Sequence, residues 1–173
     1  MVPTTAATPS TPASASVREP FAPRTLLRDG VAAGAVIAGL YGLLYAVPLP
    51  PFAIPGYLTI VAFDALEAVL PPFTSSAAYD AAFATFLGVL ALLSALAASW
   101  TRAHGAPDGW RPGVAGAFAT LGALALALAA GVFLRYAAGD FVPLLLVTGT
   151  GVALLVGGAA VAFGSATFAR DSA

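Results

Sequence analysis

Asp64 and Glu67 stand three residues apart in an otherwise apolar segment, so on a helix their carboxylates share one face. The order of apolar stretches along the chain puts Asp80, Arg135 and Asp140 on the same side of a membrane as this pair. Four carboxylates around one arginine would suit a cation or a protein partner at the outer face. Arg135 could pair with one of the acids or meet a small anion. The same residues also fit a plainer description, in which solvated carboxylates lie at a rim and the arginine snorkels to the interface. Acid–base work on lipid through Asp64 and Glu67 is the weakest of the chemical readings.

Other chemistry has less to work with. His104 is the only histidine and falls in the loop sequence TRAHGAPDGWRP, so haem cannot be ligated by two histidines of this chain. Cysteine is absent, which removes disulfides and thiolate ligands, and Met1 is the only methionine. Zinc and copper sites need clusters of Cys, His or carboxylate that the sequence does not supply. Thr148–Gly151 reads T-G-T-G but lacks the lysine of a phosphate loop. The expectation is therefore no catalytic residue, no cofactor and no metal.

The elements that must position these residues are four apolar stretches, at about residues 30–47, 81–100, 113–134 and 142–163. Each is close to the roughly 20 residues that a helix needs to cross a bilayer. None contains Asp, Glu, Lys, Arg or His. Such groups are expensive in a membrane and are kept there for function, so their absence argues against a proton-coupled pump. Composition agrees: 60% of residues are hydrophobic, 9% are charged, and mean hydropathy is +0.92. A soluble domain has roughly 25% charged residues. The net charge of −1 offers no basic face for nucleic acid.

The predicted fold is all-α, a polytopic membrane protein with four transmembrane helices in a bundle. One further short helix, about residues 56–70, is expected between spans 1 and 2, either lying in the outer interface or re-entering the membrane. A fifth full span there would put Asp64 and Glu67 within the bilayer and invert everything after it. Residues 1–28 read as a disordered cytoplasmic tail rich in Pro, Ser, Thr and Ala, without the pattern of a signal peptide. Residues 29–169 form the membrane domain and 170–173 a short second tail.

Orientation follows from arginine. With four spans, six of the seven arginines (Arg18, Arg24, Arg28, Arg102, Arg111 and Arg170) share a side, and only Arg135 opposes them. Cytoplasmic loops carry the excess of Lys and Arg. Both termini are therefore expected in the cytoplasm, in the plasma membrane of a prokaryote. Trp100 and Trp110 flank the loop on the arginine side, as interface anchors do.

Packing is expected to use small residues. Gly30/Gly34 is a G-x-x-x-G pair, and Ala38/Gly42 repeats the spacing. Gly116/Thr120 follows in the third span, then Ala153/Gly157 and Ala160/Gly164 in the fourth, with Gly149, Gly151 and Gly158 close by. Such spacing lets helix backbones approach closely in lipid. With glycine-rich helices and no catalytic constellation, the sequence predicts a non-catalytic accessory or scaffold subunit. Its partners are the lipid bilayer and either other membrane subunits or further copies of itself. A small oligomeric transporter or channel, with the acidic outer helix as its vestibule, is the alternative.

Overall fold

The computed structural model describes residues 22–47, 50–106, 109–135 and 141–168. Its elements are helices: α1 (Pro23–Ala46), α2 (Pro50–Glu67), α3 (Ser76–Ala103), α4 (Arg111–Arg135) and α5 (Phe141–Phe168). Among the described residues, four of them (α1, α3, α4 and α5) are long and apolar enough to cross a membrane. The protein is thus a helical multi-pass bundle with one shorter helix inserted after the first span.

Every span begins before the apolar stretch that marks it, and α3, α4 and α5 also end beyond it, because a helix does not stop where the hydrocarbon does. α1 begins at Pro23, so residues 23–28, expected in the tail, form its first turns. Proline suits this place, since the first N–H groups of a helix have no internal partner and its φ is already helical. α2 likewise starts on proline, six residues before the expected 56, and closes three residues before the expected 70. At its start, Ser75 caps α3 by accepting from the Ala78 amide at 3.2 Å. The other end of α3 closes in a Schellman turn: Gly105 N–H bonds Arg102 O, Ala106 N–H bonds Thr101 O, and Gly105 sits at φ +92°. That φ suits glycine, and it holds Arg102 in the last turn.

α4 is the hub, packing on α1, α3 and α5. Its glycines allow three different neighbours to come close. A Cβ at Gly113 would lie 2.9 Å from the Asp29 carbonyl oxygen of α1. One at Gly116 would lie 2.1 Å from the Ser94 carbonyl oxygen of α3, and one at Gly122 2.8 Å from the Gly151 carbonyl oxygen of α5. The core between α1, α3 and α4 is built from Ala33, Ile37, Leu90, Ala117 and Leu121.

Of the glycines expected to set the packing, Gly116, Gly151 and Gly158 meet a neighbouring helix, but most of the others lie elsewhere. A Cβ on Gly30, Gly42, Gly157 or Gly164 would meet no described atom within 4 Å, and one on Gly34 would make ordinary contact with Ala91 at 3.8 Å. In helix α1 the buried face is Asp29, Ala33 and Ile37, so alanine rather than glycine points inward. In α5 it is Gly151, Gly158 and Ala162 that are buried.

At the end away from the arginines, Phe63 of α2 is 1% exposed and anchors an aromatic cluster. Its ring meets Phe83 at 5.1 Å and Tyr79 at 5.3 Å edge-on, and stacks on Phe73 at 6.3 Å. The backbone of α2 comes close to α1 at Gly56, where a Cβ would be 3.0 Å from Leu44 Cβ.

Candidate functional site

Among the described residues, the fully buried charge is one the apolar stretches leave out. Asp29 sits one residue before the first stretch, inside α1, and is 0% exposed. It lies four residues before Ala33 and eight before Ile37, and so belongs to the inward face of the helix. Across from it, Arg102 is four residues beyond Ala98 on the buried face of α3. Arg102 Nη2 donates to Asp29 Oδ1 at 2.5 Å, and Nη1 faces Oδ2. Nη2–Oδ1 is thus the directed, charge-assisted hydrogen bond of the pair, while Nη1 and Oδ2 stand close as opposite charges without hydrogen-bond geometry.

Arg28 adds a second, looser cation: its Nε lies 3.6 Å from Asp29 Oδ1. Exposure separates the two arginines, with 48% for the Arg28 side chain against 10% for Arg102. The start of α4 closes the site from the third side, because Gly113 lies against the Asp29 backbone and the neighbouring Pro112 is buried. Arg102 Nε meets no acceptor. A lone buried carboxylate would cost several kcal/mol, and losing one partner of such a pair costs about 3–5 kcal/mol. The arrangement neutralises charge and ties α1 to α3, with its members fixed on each other.

Chain reading stops a span at its first charge, and both members of the pair lie just beyond such stops. The signal was present in the register: each is in helical phase with the small residues that turn out to be buried.

Three members of the expected outer cluster fall on neighbouring segments at one end of the bundle. Asp64 and Glu67 fall in the last turn of α2 and Asp80 near the start of α3, and the contact of Phe63 with Tyr79 sets these two segments side by side. Asp64 and Asp80 are exposed and Glu67 is half-buried. Arg135 is the last residue of α4, but its side chain and Asp140 lie outside the described residues. His104 lies in the turn after α3, with its ring 4.0 Å from that of Trp100 and Nδ1 2.8 Å from the Trp100 carbonyl oxygen. Among the described residues no three His, Cys, Asp or Glu are grouped to hold a metal.

Hydroxyls within the helices bond the backbone one turn back. Ser94 donates to Leu90 O at 2.7 Å, Ser99 to Ala95 O at 3.0 Å, Thr59 to Pro55 O at 2.9 Å and Thr150 to Leu146 O at 2.8 Å. On the outside of the bundle, an open groove of about 460 Å³ runs between α3 and α4, lined by Leu90, Leu93, Ala97, Ala119, Ala123 and Leu124 among others.

Fold and site together define a class: a multi-pass helical membrane protein whose first and second spans are tied by a buried ion pair. No family model matches the chain, and no curated protein or solved structure is significantly similar to it.

Proposed function

We propose that this protein is a non-catalytic accessory or scaffold subunit of a membrane complex. The observation that carries this reading is the groove between α3 and α4. It is open to the outside, apolar, and floored by Ala119, Ala123 and Ala127, one small residue per turn. A neighbouring helix could seat its side chains there. The polar groups described above support the same reading, because the ion pair and the hydroxyls serve the bundle's own helices. In this reading the arginine end faces the cytoplasm of a prokaryotic cell and the acidic end faces out, as the arginine bias favours.

Native mass spectrometry after gentle extraction tests the reading. Unrelated subunits should copurify, and Ala123→Leu, which fills the groove from an exposed position, should release them without changing helix content. A lone monomer from both proteins would refute the proposal. A pure homo-oligomer would transfer support to the transporter or channel, and liposome flux would then decide.

A further inference from the structure

We infer that the outward face of α1 is a binding site for one anionic phospholipid. Arg24, Arg28, Val31, Ala35 and Ala38 are exposed and share a helical face, turned away from buried Asp29, Ala33 and Ile37. The face is basic at its beginning and apolar from there on.

Depth is fixed by contacts across the bundle. Asp29 bonds Arg102, which lies two residues beyond exposed Trp100 in the last turns of α3. Tryptophan marks headgroup depth, so Arg28 stands there too. From Arg28 to Ala38 the helix rises about 15 Å, half of a hydrocarbon core about 30 Å thick. A phosphate held at the arginines would therefore let an acyl chain run down Val31, Ala35 and Ala38 for one leaflet.

Charge supplies the selectivity. The Asp29 charge is matched by Arg102, through the Nη2–Oδ1 hydrogen bond and the Nη1–Oδ2 charge contact, and reaches Arg28 only at 3.6 Å. Arg24 and Arg28 thus leave the face an excess of positive charge beside an apolar track. Free inorganic phosphate would use the arginines but not the track. A lipid uses both. This inference is independent of whether the protein serves as a scaffold.

The test is native mass spectrometry of delipidated protein given equal phosphatidylglycerol and phosphatidylcholine. Each arginine near the surface contributes about 1 kcal/mol toward anionic lipid, about fivefold in affinity. The unaltered protein should retain phosphatidylglycerol roughly twenty-five-fold over phosphatidylcholine, and added salt should reduce the preference. Arg24→Gln/Arg28→Gln should remove most of it with an unchanged melting curve. Should the double variant fold poorly, Arg24→Gln alone, at an exposed position, should lose about fivefold. Equal retention of the two lipids by the unaltered protein would overturn the inference. So would an undiminished preference in the folded double variant, or displacement of the lipid by equimolar inorganic phosphate.

Discussion

Asp29 and Arg102 carry charge where it is costly, and the ion pair between them makes it tolerable. The coupling has a measurable signature. Asp29→Leu leaves a buried guanidinium, and Arg102→Met leaves a buried carboxylate, so each single change should cost about 3–5 kcal/mol. The double variant replaces both charges with apolar volume and should recover much of that loss, since such swaps are often neutral. Reversible unfolding in mixed micelles measures all four proteins. Additive losses would mean that the pair is not a unit. Arg28→Gln, at the half-exposed neighbour, should cost less than about 1 kcal/mol, as a solvated partner does.

At the scale of the helix, identity matters less than the direction a residue faces. A Cβ at Gly116 would run into the Ser94 carbonyl oxygen at 2.1 Å, whereas one at Gly157 would meet nothing within 4 Å. Gly116→Val should therefore separate α3 from α4 and cost about 2–3 kcal/mol. Gly157→Ala should be neutral or stabilising by up to about 1 kcal/mol. Thermal melts of the two variants check the contrast, and equal effects would contradict the assigned contact. Phe63→Ala should lose about 3–5 kcal/mol by emptying the aromatic cluster that holds α2, with the loss read in the same assay. The contrast explains what the sequence reveals. Hydropathy runs report the four spans because length and apolarity are properties of a segment. G-x-x-x-G spacing marks a surface on which close approach is possible, but the contact also depends on which helix lies opposite. Gly116 and Gly157 have the same local credentials, and only tertiary placement distinguishes them. Asp29 was obscured differently: a charge at the edge of an apolar run reads as the end of a span, and its partner is 73 residues away along the chain.

The whole molecule is polarised along the bundle axis. Arg24, Arg28, Arg102 and Arg111 belong to the ends of α1, α3 and α4 at one side, while Asp64 and Glu67 at the end of α2 and Asp80 near the start of α3 lie at the other. Because loop arginines resist translocation, this distribution predicts an orientation as well as a fold. Single cysteines provide the check, since the chain has none of its own. Thr74 is exposed in the loop before α3, and His104 is exposed in the turn after it. In intact cells a membrane-impermeant maleimide should label Thr74→Cys, while His104→Cys should react only after permeabilisation. The two positions flank a single helix, so a bundle inserted the other way round would reverse both results together. Labelling of both positions in intact cells would show that α3 does not span the membrane.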